Sequence, residues 1–362
     1  MLPSLFSIVA SSALRPRVAP RGSHAVALCS TDSSRTILER LPPQFVAPYE
    51  PPEEGSLLTL DNFEIASLHR VLHKMAPTAS VGEVSLEQIP EDITVDVGMR
   101  RPKELALSSS HLLVDGAAVP WKFLAKIAKK QRSGVWHCYE DDDPMKVEGL
   151  SDLTSRPASL QPMDPTPGGP VPPTAVLGSF RMHRTKDVTP AEDTARKLAA
   201  LSSIGGGLRG RVLDVCTGLG YTAIDAARHP STSDVVTIEL DPLMVYLQRS
   251  NPWSADLFTS EKIHRLLGDA TEVVPELPEG FFDVAIHDPP SNHMSGELYS
   301  QSFYSAIRRT LRTGGRFYHY VGDPKSQASG RMFKGILERL RESGFENPKT
   351  VARAYGIVAV AR

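Results

Sequence analysis

The 362-residue chain carries only three cysteines. Cys29, Cys138 and Cys216 lie far apart, which excludes a disulfide framework and a zinc-ligand spacing, so no metal is expected. No apolar run reaches the roughly 18 residues that a membrane-spanning helix requires, and no membrane span is expected. An excess of either charge is missing too: 40 Lys and Arg stand against 42 Asp and Glu, a net charge of −2. That balance argues against a generally basic nucleic-acid binder and leaves room only for a local basic face. The first acid of the chain is Asp32. Ahead of it stand Arg15, Arg17 and Arg21 among Ser4, Ser7, Ser11, Ser12, Ser23 and Ser30. An Arg-rich, Ser-rich, acid-poor leader has the composition of a transit peptide to the mitochondrion or chloroplast; a disordered tail is the plainer alternative.

What is present is ordinary for a globular protein, 41% apolar and 23% charged, and the length suggests two domains plus a tail. Residues 1–44 read as that tail. Residues 45–160 read as a small α+β accessory domain. Ile65, Leu68, Val71, Leu72 and Met75 follow helical spacing, and strand-like runs lie at 93–97, 104–107, 111–114 and 135–139. Asp115-Gly116 is a hairpin turn signal. Trp121 to Lys130 is an amphipathic helix whose polar positions are Lys122, Lys126, Lys129 and Lys130. Residues 161–178 hold Pro162, Pro165, Pro167, Pro170, Pro172 and Pro173 and read as a linker. Residues 179–362 alternate strand and helix. Strands are expected at 211–215, 235–239, 263–267, 283–287 and 316–321, followed by a C-terminal strand pair. Helices are expected at 191–201, 221–229, 242–250, 299–312 and 330–343. Such alternation is the α/β class, with a mostly parallel sheet and ligands at the carboxyl ends of its strands.

The chemistry is expected at those strand ends. The first is Asp214-Val215-Cys216-Thr217-Gly218-Leu219-Gly220, where the glycines allow close backbone approach. The second ends in Glu239, suited to the hydroxyls of a ribose. The full G-x-G-x-x-G turn of a dinucleotide site is absent. Asp-x-Cys-x-Gly-x-Gly resembles instead the first motif of class I S-adenosylmethionine (SAM) methyltransferases. The third end is Asp269, which either accepts from an adenine amino group or caps the next helix. The fourth is His287-Asp288-Pro289-Pro290. The prolines stiffen the loop, and Asp288 is placed to orient or deprotonate an acceptor. His287 alternates with it and is either a second catalytic candidate or a core residue.

The resemblance extends further. The stretch 214–223, Asn251-Pro252-Trp253-Ser254, His287-Asp288-Pro289-Pro290, Gly296-Glu297-Leu298-Tyr299-Ser300 and the upstream Met182-His183-Arg184 look like an archaeal-type family of class I SAM-dependent methyltransferases with no established acceptor. It implies a Rossmann-like, class I methyltransferase sheet with a smaller N-terminal α+β domain, and SAM as methyl donor. Asp214, Cys216, Thr217, Gly218, Gly220, Glu239 and Asp269 are then cofactor-binding candidates. Pro289, Pro290 and Tyr299 are the candidates for holding the acceptor. Asp288-Pro289-Pro290 is also similar to the Asp/Asn-Pro-Pro-aromatic motif of base amino-group methyltransferases, with Ser291 in the aromatic place. RNA in an organelle is therefore the acceptor to test, with Lys122, Lys126, Lys129, Lys130 and Arg132 facing its phosphates. A second resemblance, over 282–288 and 296–304, is to spermidine synthases, which transfer an aminopropyl group from decarboxylated SAM. Leu219 stands in the region where that family's turn carries an acid. Its loss is expected to leave room for the carboxylate of intact SAM, which favours methyl over aminopropyl transfer.

Overall fold

The computed structural model describes residues 37–48, 58–75, 83–84, 89–90, 92–108, 110–130, 133–139, 143–291, 295–324 and 329–362. The expected leader up to residue 36, Cys29, Arg132 and the loop residues 292–294 lie outside them.

The C-terminal half is built on one seven-stranded sheet. Its strands are β1 (Gly210–Val215), β2 (Thr232–Glu239), β3 (Ile263–Leu267), β4 (Phe282–His287), β5 (Leu311–Tyr320), β6 (Phe345–Val351) and β7 (Gly356–Ala361). The order across the sheet is β3-β2-β1-β4-β5-β7-β6. The first five run parallel, and β7 enters antiparallel between β5 and β6. This is the Rossmann-like arrangement of class I methyltransferases. The order in which strands are added reverses between β1 and β4, so both strand tips open onto one crevice.

Helices α1 (Pro190–Ser202), α2 (Tyr221–Arg228), α3 (Pro242–Arg249), α4 (Ala270–Glu276), α5 (Gln301–Thr310) and α6 (Ser329–Glu342) cover the sheet. Strand alternation divides the core in two. Val212, Val284, Ile286 and Tyr318 face Ala200 and Leu201 of α1 and Ala223 and Ile224 of α2. Leu213, Val215, Ala285 and Phe317 face Val273 of α4, Phe303 and Ile307 of α5 and Ile336 of α6. Each buried Val, Leu, Ile or Phe contributes about 1.5–3 kcal/mol relative to exposure, which fixes the register of these strands. Helix α1 begins at Thr189, whose side chain accepts from the Glu192 amide while Glu192 reaches back to the Thr189 amide.

The described residues between 58 and 181 form three small antiparallel sheets around two helices. Helices Asn62–Met75 and Trp121–Lys130 occupy the expected stretches, with Lys122, Lys126, Lys129 and Lys130 exposed. Residues 93–97 are not a strand. Asp96 and Val97 adopt left-handed φ of 57° each. The reason is a buried carboxylate: Glu64 accepts the amides of Val97 (3.2 Å) and Gly98 (2.7 Å), which bends the chain around it. The proline-rich stretch also takes a different place. It joins strands Pro157–Gln161 and Thr174–Leu177 of one antiparallel sheet, so it is a loop within a sheet. Pro162, Pro165, Pro167, Pro170, Pro172 and Pro173 all fall outside the strands, where no amide is required. That sheet packs on the sheet domain, with Ala158, Leu160, Ala175 and Leu177 against Leu219, Tyr221, Met244 and Leu247. Ile37 and Leu41, within the expected tail, are buried in the large core beside α4. No helix of the described residues is long and apolar enough to cross a membrane.

Candidate active site

A cavity opens where the tips of β1 to β4 converge. Its floor is Cys216 to Gly218, Glu239 to Asp241, Gly268 to Ala270, Asp288 and Pro290, and Thr154, Arg156, Leu177, Met182 and His183 form its roof. A wider cleft runs between α3 and the N-terminal sheets past Tyr246 and His137, away from the strand tips.

The glycine turn is held from β2. The amides of Cys216 and Thr217 both donate to Ile238 O, at 3.1 and 2.9 Å. Cys216 takes a left-handed φ of 72°. Gly218 (φ 55°) has open space where a Cβ would stand, whereas a Cβ on Gly220 (φ 80°) would sit 2.2 Å from Leu257 Cδ1. Gly218 therefore leaves room beside its backbone for a ligand, although its C=O accepts from Gln248 Nε2 at 2.6 Å, and Gly220 lets α2 pack close.

Glu239 organises this turn. Its Oε2 accepts the Gly218 amide at 2.9 Å, and its Oε1 accepts those of Leu240 and Asp241 at 2.9 and 3.0 Å. Oε2 keeps a lone pair for a ligand hydroxyl. Burial pushes the Glu239 carboxyl up to about 7 against the pull of those three amides. At Asp269 the capping reading holds: Oδ1 takes both capping bonds, from the Thr271 amide (2.8 Å) and hydroxyl (2.7 Å). Oδ2 makes neither, so the residue can cap α4 and still offer an acceptor to the cavity. Asp241 caps α3 through Leu243.

Asp214 does not line the cavity. It is buried behind the turn, where its Oδ2 accepts from Thr237 Oγ1 at 2.6 Å; that hydroxyl lies 2.7 Å from Thr217 Oγ1. It ties β1 to β2 and is not a ligand contact. Burial raises its carboxyl to about 7. Thr217 and Cys216 do line the cavity. Burial and the surrounding carboxylates of Glu239, Asp288, Asp214 and Asp269 hold the Cys216 thiol well up, so it is an inert packing group.

Asp288 lies at the cavity wall with its side chain 19% exposed. Its Oδ2 receives a 2.6 Å bond from Lys197 Nζ on α1, a side chain only 2% exposed. Lys197 also meets Asp193 Oδ2 at 2.8 Å. His287 is a core residue. Strand alternation turns its side chain away from the cavity, onto His319 (ring centroids 4.6 Å apart) and Phe303 (5.2 Å). It is fully buried, neither ring nitrogen has a partner, and burial drives its pKa well down. Pro289 is buried behind Pro290 and is not in the lining. Tyr299 is buried and offers no stacking face. Its hydroxyl donates to Pro290 O at 2.9 Å and so anchors the loop.

Several site residues were not assigned from the sequence. Lys197 and Asp193 occupy the buried stripe of α1 with Thr194, Ala200 and Leu201. Charges on an apolar helical stripe were the available signal. The other missing part is the roof. His183 stacks on Tyr221 (ring centroids 5.1 Å apart) and bonds Thr174 Oγ1 at 3.0 Å, while Tyr221 OH donates to Pro173 O at 2.8 Å. These contacts seat Met182-His183-Arg184, singled out by resemblance, against the glycine turn. Leu219 is fully buried against Tyr221, Met244 and Leu247 and does not face the cavity, so its lack of charge makes no room for a donor carboxylate.

The fold is the class I, Rossmann-like one, and acids from the β2, β3 and β4 tips, Glu239, Asp269 and Asp288, converge on its cavity. Residues 191–352 match the family model described as the spermine/spermidine synthase domain. An uncharacterised protein of Methanocaldococcus jannaschii is 47% identical over 191 residues, covering 52% of this chain and 64% of that protein. Polyamine aminopropyltransferase 2 of Streptomyces coelicolor is 33% identical over 145 residues, 38% of this chain and 26% of that protein. The chain thus spans under two thirds of the first relative and about a quarter of the second. Among solved structures, a spermidine synthase from Thermotoga maritima aligns at 19% identity and a TM-score of 0.46, over 59% of this chain and 71% of that one. The match of 191–352 to the synthase domain, together with the aminopropyltransferase relative, overturns the expectation of methyl transfer, and the RNA acceptor inferred with it loses its basis.

Proposed function

We propose that the protein is an aminopropyltransferase of the spermidine synthase type, which takes decarboxylated SAM as donor and an amine as acceptor. The observation that carries this reading is the charge of the cavity. Among the described residues, Glu239, Asp241, Asp269 and Asp288 line it against one lining cation, Arg156. A donor bearing both a sulfonium and an ammonium group complements such a wall better than one that also carries a carboxylate. In this reading Gly218, Glu239 and Asp269 hold the nucleoside. Asp288 takes a proton from the acceptor amine. The amine lone pair then forms the C–N bond to the propyl carbon, the C–S bond breaks with its electrons, and a neutral thioether leaves. The chain's part is alignment, exclusion of water by the roof, and a base at the reacting end.

Calorimetric titration with decarboxylated and intact SAM tests the reading, with products from an amine panel identified by mass spectrometry. Tighter binding of the decarboxylated donor and an aminopropylated amine are expected. Asp288→Asn should lower kcat by about 10²–10⁴-fold, the usual contribution of a positioned base, with donor affinity nearly unchanged. Preference for intact SAM would sink the proposal.

A further inference from the structure

Lys197 is a buried cation to which the transfer step gives no direct task. A buried lysine normally loses its charge. Here two carboxylates hold it, Asp288 at 2.6 Å and Asp193 at 2.8 Å, and its Nζ lies 5.0 Å from the centroid of the Tyr320 ring. Asp193 is fully buried and also meets Arg184 Nη1 at 3.2 Å. Arg184 in turn lies over the Tyr355 ring, 3.4 Å from its centroid, and donates to Arg353 O. Alternating charges therefore run from the roof-bearing segment, through α1, to the acceptor end of the cavity.

We infer that Lys197 is a positioning residue that keeps Asp288 ionised and aimed into the cavity, so that its carboxylate can take the proton of the acceptor amine at neutral pH. The inference rests on the transferase reading above. The groups that face Asp288 make the case. Asp193 from α1 is a like charge acting on it, and Asp214 and Cys216 from β1 and its turn are further acidic groups beside it. Tyr299, Tyr318 and Tyr320 are neutral phenols. Lys197 is the cation among them. Burial pushes the Asp288 carboxyl up, and Lys197 pulls against it, which leaves the carboxyl above its ordinary value but lower than burial alone would put it. The ion pair also fixes direction: with Oδ2 bound to Nζ, Oδ1 is left for the acceptor. The proton moves from the acceptor nitrogen to that oxygen before the freed lone pair forms the C–N bond, and Lys197 keeps its own proton throughout.

The test needs a readout of Asp288 itself. Infrared difference spectra of the full chain against Asp288→Asn at pH 7 should show an ionised carboxylate in the wild type. In Lys197→Met a protonated carboxyl should replace it. The same variant should lower kcat at pH 7 by about 100-fold and move the acid limb of the profile up by about one unit or more, with donor affinity unchanged. Lys197→Arg should recover much of both. Asp193→Asn removes a like charge and leaves Lys197, so it should move the acid limb down; it carries the test if Lys197→Met does not fold. An Asp288 still ionised in Lys197→Met, or an acid limb unmoved in Asp193→Asn, overturns the inference. If the wild type transfers no aminopropyl group, the proposed function fails, and the infrared comparison still decides the role of Lys197.

Discussion

Replacing Glu239 with glutamine separates charge from shape at the donor site. The carboxylate accepts three amides, Gly218 at Oε2 and both Leu240 and Asp241 at Oε1. A glutamine oxygen can keep the pair at Leu240 and Asp241, and its NH2 group then faces the Gly218 N–H. That internal bond is lost with and without donor; what lowers affinity is loss of the charge-assisted bond to a ribose hydroxyl, worth about 1.5–3 kcal/mol, as its acceptor becomes a donor. At about 1.4 kcal/mol per decade, donor affinity at pH 8 should fall about 10- to 100-fold. The gap should close on acidification. Burial places the wild-type carboxyl at about 7, so below that pH the free site must give up a proton to bind a cation. Wild-type affinity should therefore drop by up to about tenfold per pH unit below 7, while the Gln variant stays flat. Calorimetry from pH 5.5 to 8, repeated in the Asp214→Asn background to remove the other carboxyl raised to about 7, measures this. Stability has the opposite sign. A carboxyl raised from 4.5 to about 7 stabilises the fold fully below the lower value and loses that contribution as pH rises through the upper, up to about 3 kcal/mol. Parallel affinity profiles for wild type and Glu239→Gln would refute the reasoning.

Gly220→Ala must place a methyl against Leu257 at a left-handed φ and should cost about 2–4 kcal/mol in urea unfolding, whereas Gly218→Ala, with open space, should cost about 1 kcal/mol. His287→Phe should leave stability and donor binding intact, because both ring nitrogens are unpartnered in an aromatic setting; a lost activity with normal folding would restore a catalytic role. Tyr299→Phe removes the hydroxyl that holds Pro290 O, costs about 1 kcal/mol, and should raise KM for the acceptor more than it weakens the donor.

Much of this was readable along the chain. The strand–turn–strand unit from Val212 to Glu239 has local signals, apolar runs broken by glycines, and the fold follows from their alternation. The spacing of Glu239 from Gly218 is a property of one β–α–β unit, so that pair was legible. Asp288 was legible as a strand tip with prolines behind it. What failed were judgements about direction and distance. Asp214 and Leu219 sit in the right turn but face away from the cavity. Lys197 and Asp288 are 91 residues apart, and no local pattern joins them. The proline-rich stretch was misjudged because proline reports only the absence of an amide, which a loop inside a sheet satisfies as well as a linker does. Donor chemistry was read from a leucine in place of an acid, and that leucine is core.

The cavity is roofed by Thr154, Arg156, Leu177, Met182 and His183 and floored by the strand tips that carry Cys216, Glu239, Asp269 and Asp288. Anything seated in it is a cross-link between two layers of the chain. The free energy of binding is then available only when both layers are folded and docked, and at a ligand concentration of one hundred times Kd it adds about 2.7 kcal/mol to both at once. Saturation would draw two unfolding events, if the free protein has them, into one, and a floor expressed without its roof would lose the ligand before it lost its fold.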